Sequence, residues 1–578
     1  MSDLTELLSE KLGAAFVAEG LDASLGQVRV SDRPDLAQFQ CNGAMAAAKI
    51  AKTNPRAIAE KIKARLENDP ILEKVELAGP GFINLALTDE YLDTHINATT
   101  GDPRLGVAKH EPAKAVVIDF GGPNVAKPMH VGHLRSSIIG DSLQRLFRFM
   151  GDDVTSDVHM GDWGLQMGQV LYGLEHPELT GVEVDGLPDL DDLEKIYPAV
   201  SAASKEDEDV LKVARAITAK LQARDNHYYS KWEEVRRVSV DAMRDGFTSL
   251  GVSFDEYKGE ADADHLIVPM VDDLKAKGIT RESDGALVID VEQDGDKKEM
   301  PPLILLKSDG AAMYSTTDLG TIIDRVNCHN PDLILYVVDQ RQHLHFEQVF
   351  RAAMKGSING KAAMEHLGFG TMNGTDNKPF KTREGGVMKL AELIEMATNT
   401  ALTRIDEAGL AAECTADEKQ NIARQIGIAA IKFADLSNHR VSNYVFDLDR
   451  MVAFEGKTGP YLQYAAVRIK SILARAKEQG RDAVGPITIG AKEERNLVLA
   501  LSGLGGALEM AYDKRAPNAL TDYVYALAQA FSSFYAACPA VREDDEAIRG
   551  SRLSLCRLSL AHFELVLDLL GIEIPTRM

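Results

Sequence analysis

A chain of 578 residues, 45% hydrophobic and 26% charged, is too long for a single core and too apolar to stay disordered. Its 88 acidic side chains outnumber 64 basic ones, a net charge of −24 that speaks against nucleic acid held by bulk charge. The five cysteines are scattered, without a Cys-x-x-Cys pair or a nearby Cys/His cluster. That excludes a disulfide framework and a structural zinc site, and suits a reducing, cytoplasmic setting.

The start, Met1-Ser2-Asp3-Leu4, lacks the basic and apolar regions of a signal peptide. Apolar runs such as Leu497 to Leu508 fall short of the roughly 20 residues a membrane span needs. A soluble protein without a membrane partner is expected. Residues 1–107 read as a small α+β unit. Leu4, Leu8, Leu12 and Phe16 recur at helical spacing, and Asn54-Pro55 is an N-cap with an N1 proline ahead of Ile58, Ile62 and Leu66. Val75 to Leu77 and Phe82 to Leu85 alternate like strands about the Gly79-Pro80-Gly81 turn. A charged stretch from Gly101 to Pro112 reads as a linker.

Residues 108–390 then change to α/β. Ala115 to Ile118 is a short apolar run suited to a buried parallel strand, followed by a Gly/Pro/Asn loop and a helix from about His130 to Met150. Strand–helix alternation resumes with Leu303 to Leu306, Leu333 to Val338 and a helix through Phe350, the pattern of a doubly wound, Rossmann-type domain. An insert at about 170–300, largely helical and partly acidic, separates the halves. Residues 391–578 read as all-helical, a bundle. Glu175 to Asp209 holds twelve Asp/Glu and two Lys, whereas Arg424 to Lys477 holds nine Lys/Arg and four Asp/Glu. That asymmetry leaves room for an RNA partner, although a solvated basic helix face reads as well on charge alone.

The informative loop runs from Asp119 through Gly121-Gly122-Pro123-Asn124-Val125-Ala126-Lys127-Pro128-Met129 to His130-Val131-Gly132-His133. Glycines and proline deliver the chain to a helix N-terminus, whose free N–H groups and positive dipole end suit phosphate. His130 and His133 are one turn apart and can address one ligand, and Gly132 leaves room for a flat ring against the backbone. An isolated His-x-x-His reads more readily as two satisfied helix histidines; a strand before it and a helix after it favour ATP.

His-Val-Gly-His after a first strand resembles the nucleotide signature of class I aminoacyl-tRNA synthetases. The string Gly122 to Ser136 narrows the resemblance to the arginyl-tRNA synthetases. Gly161-Asp162-Trp163-Gly164, Tyr314 to Asp318, Gln340-Arg341-Gln342-His343, Lys378 to Gly386 and Tyr461-Leu462-Gln463-Tyr464-Ala465 follow in family order. The resemblance implies a class I catalytic domain between an N-terminal α+β tRNA-binding domain and a helical stem and anticodon-binding domain. It implies ATP as substrate with accompanying Mg2+, arginine and arginine tRNA as partners, no resident metal, and a monomer. The activity it implies makes arginyl-adenylate and transfers arginine to the 3′-terminal ribose of the tRNA, releasing AMP and pyrophosphate.

By the same resemblance His130, Gly132, His133 and Lys381 bind ATP. The segment Lys381-Thr382-Arg383 departs from the class I Lys-Met-Ser-Lys pattern by lacking its second lysine. Lys127, just before the histidines, stands where a compensating lysine is found, so Lys127, Lys381 and Arg383 are expected to neutralise the triphosphate as catalytic cations. Arginine selection calls for carboxylates that accept a guanidinium fork, and Asp119 and Asp318 match the family's acids, with Asn124, His130, Tyr314 and Gln342 beside them. From the residues alone, Asp318 reads as well as a helix N-cap, with Thr316 or Thr317 competing for that place. On the RNA side the matching positions are Phe82 and Asn84, for an unpaired base, and Tyr461, Gln463, Tyr464 and Arg468 in the basic segment, with Pro575 to Met578 docking near the anticodon. Because a charged fork discriminates strongly, the insert is expected to be structural or to contact the acceptor stem rather than to edit. A small-metabolite nucleotidyltransferase shares the His-x-Gly-His chemistry and is the rival reading. Gly503-Leu504-Gly505-Gly506 lacks a preceding strand and reads as helix packing, and His343, His345 and Glu347 as a helix surface.

Overall fold

The computed structural model describes residues 3–31, 33, 37–374, 380 and 388–578. Among them no helix is long and apolar enough to cross a membrane. The chain divides into two compact units. One holds residues 1–109, 454–568 and 573–578, the other 110–453 and 569–572.

In the first unit the helix Leu4–Ala18 buries Leu4, Leu8, Leu12 and Phe16, as their spacing predicts. Asn54 caps Pro55–Leu66 by accepting from the Arg56 N–H at 2.9 Å. The sheet is four-stranded and antiparallel, in the order Val28–Val30, Phe39–Cys41, Phe82–Leu87, Leu72–Ala78. Five long helices, from Gly459–Glu478 to Glu546–Leu569, complete the unit. They join it through polar bonds between sequence-distant segments. The Asn97 amide both donates to and accepts from the Ile487 backbone, and Asp93 accepts from the Ile489 N–H at 3.0 Å. Gly503 to Gly506 leads into the helix Leu504–Lys514, and the Gly506 N–H donates to Asp3.

The second unit is built on a five-stranded sheet ordered Ala363–His366, Leu333–Tyr336, Ala115–Asp119, Asp153–Met160, Glu256–Gly259, every pair parallel. Strands buried on both faces need apolar runs, which Val116 to Ile118 and Leu333 to Leu335 supply. Leu303–Leu306 does not join this sheet, contrary to the alternation read from sequence. It pairs antiparallel with Ala286–Ile289, itself in a hairpin with Thr280–Ser283. Asp284 and Gly285, both at positive φ, make the two-residue turn that dictates an antiparallel partner. The helices Leu390–Glu407 and Ala416–Leu436 pack on each other and group with the parallel sheet. The buried Arg135 donates to Asp435 at 3.0 Å and to the Ser442 carbonyl, fixing the helix after the histidines to this pair.

Candidate active site

The strand read first from the sequence lies in the middle of the sheet. Chain progression reverses between it and Leu333–Tyr336, so the crevice outside their carboxyl ends is where such sheets take ligands. Asp119 and Tyr336 are register partners at that edge. The loop leaving Asp119 turns through positive φ at Gly121, Gly122 and Ala126. Ser136 bolts it across the reversal: its hydroxyl accepts from the Gly121 N–H at 2.8 Å and donates to the Val337 carbonyl at 2.6 Å.

The α-helix begins at Leu134, later than the sequence predicts, because His130 caps a short 3-10 turn over Val131–His133. Each histidine accepts a backbone proton at Nδ1, His130 from Gly132 at 3.0 Å and His133 from His130 at 3.2 Å. That assigns both protons to Nε2, so each ring presents an N–H donor outward. The rings stack with centroids 3.9 Å apart. Burial, then the neighbouring His130, lowers the His133 pKa to about 3; burial, then Lys127, lowers that of His130. Both are neutral donors at physiological pH. A Cβ on Gly132 would lie 2.8 Å from the His130 ring, so the flat group resting on this glycine is the histidine's own imidazole.

Lys127 lies within electrostatic reach of both histidines, with its ammonium 4.4 Å from the centre of the Tyr197 ring. Lys381 and Arg383 lie outside the described residues, but the chain on either side is anchored. The Phe380 N–H donates to Met372 O, while Met388 to Leu390 pairs with Met129 to Val131 through bonds of 3.0 Å. The segment leaving that stretch is therefore hydrogen-bonded directly to the histidine loop.

A carboxylate cluster lines the sheet side of the crevice. Arg325, fully buried, donates to Asp119 and Asp157 at 2.7 Å each. Asp119 is thus engaged through one oxygen by an internal guanidinium. Asp318 is not the N-cap: Met313 holds that place, with its N–H donating to Thr316 Oγ at 3.1 Å, and Asp318 accepts from His345 Nε2 at 2.6 Å. Glu260, at the first position of the helix Glu260–Ala276, is a member the sequence reading missed. Desolvation, the largest cause, pushes its pKa up to about 7; His159 pulls it down, and the charges of Asp162 and Asp318 add to the rise. A half-buried carboxyl beside like charges gains from a neighbouring cation. No motif marks it; only the fold brings it beside Asp318. Tyr314 is exposed at the rim, within reach of the Glu260 and Tyr197 charges. Asn124 is exposed and bridges Gly161, and Gln342 is exposed at the turn leading into His343–Gly356.

Comparison with known proteins decides the family. Residues 96–448 match the family of class I (R) tRNA synthetase catalytic domains, 462–578 the DALR anticodon binding domain, and 2–87 the arginyl tRNA synthetase N-terminal domain. The chain belongs to the class I arginyl-tRNA synthetases. The arginine–tRNA ligases of Maricaulis maris and Hyphomonas neptunium are 51% and 50% identical, covering 100% of both chains in each pair. The crystal structure of the arginyl-tRNA synthetase of Plasmodium falciparum superposes with TM-score 0.82 at 25% identity, covering 100% of both chains. That of Thermus thermophilus gives 0.81 at 24% identity with the same coverage, a likeness of fold.

The positions that this arginyl-tRNA synthetase would use for RNA have distinct surroundings. Phe82 is half-exposed; Asn84 is buried, its carbonyl accepting from Gln40 Nε2 at 3.0 Å. Arg468 is exposed, with its guanidinium 4.3 Å from the Tyr535 ring centre. Tyr461 and Tyr464 are half-buried, Tyr461 meeting the Tyr525 ring edge-on. Gln463, expected on the RNA side, is turned inward. It is wholly buried, and its amide donates to the Glu573 carbonyl at 2.6 Å, so it holds the C-terminal tail. Helical spacing turns Gln463 inward once Tyr461 and Tyr464 face the surface.

A guanidinium held beside Glu260 would make arginine binding depend on pH. The folded pKa of Glu260 is raised, so folding is favoured by this group below its ordinary value and loses that contribution as pH rises through about 7. A bound guanidinium reverses the penalty and expels the proton. Arginine affinity measured by calorimetry therefore increases from pH 5.5 to 8. Glu260→Gln keeps only the part due to His345, whose pKa Asp318 raises. An unchanged profile in this variant removes Glu260 from the guanidinium site.

Proposed function

We propose that this arginine–tRNA ligase forms arginyl-adenylate in the crevice at the sheet's reversal, and that the residues just described divide the labour there. The observation that carries the reading is the neutral, stacked histidine pair on the loop leaving the strand that ends in Asp119, with the Glu260 and Asp318 carboxylates within electrostatic reach of each other. The arginine guanidinium sits against Asp318 and Glu260, two planar acceptors for a planar fork of donors. Asp119 keeps one oxygen for the substrate's ammonium while Arg325 holds the other. Asn124, Tyr314 and Gln342 at the rim orient the rest of the amino acid.

With arginine so held, its carboxylate attacks the α-phosphorus of ATP in line, and positioning and charge stabilisation supply most of the acceleration. The His130 and His133 Nε2–H groups donate to oxygens whose charge grows at the phosphorus, without a proton having to move. Lys127, with Lys381 and Arg383, offsets the charge of departing pyrophosphate. Mg2+ accompanies ATP on its phosphates. Among the described residues no group of three or more His, Cys, Asp or Glu side chains is placed to hold a metal. The terminal ribose hydroxyl of the tRNA then attacks the adenylate and AMP leaves. Phe82, Asn84, Tyr461 and Arg468 serve the RNA from the N-terminal module and the helices beyond residue 454. A cytoplasmic location is part of the reading, in keeping with five free cysteines.

The test is ATP–pyrophosphate exchange by the purified protein with arginine or lysine, with and without arginine tRNA. Exchange with arginine alone among the two amino acids is expected; exchange with neither, or equally with both, rejects the reading. Lys127→Ala slows the exchange about tenfold to hundredfold, somewhat less than the loss of a preorganised oxyanion donor. A wild-type rate in this variant removes Lys127 from the charge-neutralising set.

A further inference from the structure

The acidic insert sends one helix to the rim of the crevice. Asp189 and Asp192 form a capping box that starts Leu190–Glu206, and Leu193, Ile196 and Val200 are fully buried along one face. Gly173 lets that face come close, since a Cβ there would lie 2.5 Å from Ile196. The helix is thus seated on the body of its unit, and the neighbouring face carries Glu194 and Tyr197, three residues apart and both half-buried.

These two side chains reach the two segments that bracket the ATP site. The Tyr197 ring lies under the Lys127 ammonium at 4.4 Å. Glu194 accepts from Lys389 Nζ at 2.7 Å, and Lys389 is the residue whose backbone bridges His130. Tyr197 is also within electrostatic reach of Tyr314. A lysine on a glycine- and proline-rich loop would otherwise sample many rotamers, at an entropic cost when one of them must meet the phosphates. A ring face that attracts the ammonium narrows that choice without consuming its hydrogen-bond donors, as a carboxylate would.

We infer that Tyr197, on the insert helix, is a positioning residue for adenylate formation: it holds Lys127 poised at the triphosphate, with Glu194 bracing the partner segment through Lys389. The insert then has a role in the first chemical step, acting through the lysine and touching no reacting atom. The inference rests on the proposed function of Lys127, and the experiment separates the two.

Exchange kinetics over a range of arginine concentrations, with tRNA and ATP saturating, are compared for wild type, Tyr197→Phe, Tyr197→Leu, Lys127→Ala and the double variant Lys127→Ala/Tyr197→Leu. Leucine keeps apolar bulk against the helix and removes the π face; phenylalanine keeps the face and removes the hydroxyl. Tyr197→Leu is expected to lower kcat about threefold to thirtyfold, the range a partly desolvated cation–π contact is worth, with the KM for arginine little changed. Tyr197→Phe restores most of the rate, and the double variant is no slower than Lys127→Ala, because two residues acting as one unit are not additive. Equal rates for Tyr197→Leu and wild type overturn the inference, as does a fully additive double variant or a phenylalanine variant as slow as the leucine one. A wild-type rate for Lys127→Ala instead overturns the reading on which it rests.

Discussion

Truncating Asp318 to alanine is expected to raise the KM for arginine by about 30-fold or more, since losing one partner of a desolvated charge pair costs about 2 kcal/mol at least. Asp318 is three-quarters buried on the second turn of Tyr314–His329, whose N-cap is Met313, so its carboxylate is not spent on capping. Its carboxylate is held in one orientation by His345 at 2.6 Å, so it meets the substrate preorganised. Alanine leaves both the guanidinium and His345 without their anion. The turnover rate at saturating arginine is expected to fall less than the affinity, because the proposed place of Asp318 is at the guanidinium end, far from the reacting phosphorus. The measurement is exchange rate against arginine concentration; an unchanged KM would take Asp318 out of the pocket.

The second large effect is on stability. Arg325→Met should cost the parallel-sheet unit about 3–5 kcal/mol, read as a lower midpoint in urea. The guanidinium is 2% exposed between Asp119 and Asp157, and methionine fills similar volume while abandoning both carboxylates in a dry interior. Burial already raises the Asp119 pKa against the pull of Arg325. Without the arginine it rises further, so the variant's deficit is larger at pH 8 than at pH 5, where protonation relieves the stranded charges. Adding Asp157→Asn should recover part of the loss. A midpoint equal to wild type in Arg325→Met would mean that the triad contributes nothing net. Arg325 also explains why Asp119 by itself is a poor guide to specificity: its neighbour in space, 206 residues away in sequence, has claimed half of it.

The chain order alone determined a good deal. Val116 to Ile118 is apolar throughout, which only a doubly covered strand tolerates, and the Gly121 to His133 loop behind it carries glycines and histidines in an order that backbone geometry and phosphate chemistry both require. Helix periodicity placed Leu4, Leu8, Leu12 and Phe16 on one buried face, and Asn54-Pro55 fixed a helix start, because these signals act within a few residues. Other features depended on the tertiary structure. Leu303–Leu306 has the composition of a parallel strand, yet the Asp284-Gly285 hairpin offers it an antiparallel partner first. Gln463 has the polarity of a surface residue, yet the tail carbonyl of Glu573 satisfies it indoors. Glu260, His345, Arg325 and Tyr197 lie in no shared motif, and their roles arise from charges and rings brought within a few ångströms by the fold. Local backbone preference and periodicity are written into neighbouring residues and can be read there. Electrostatic pairing and burial belong to residues far apart in the chain, and only the folded molecule decides which of them meet.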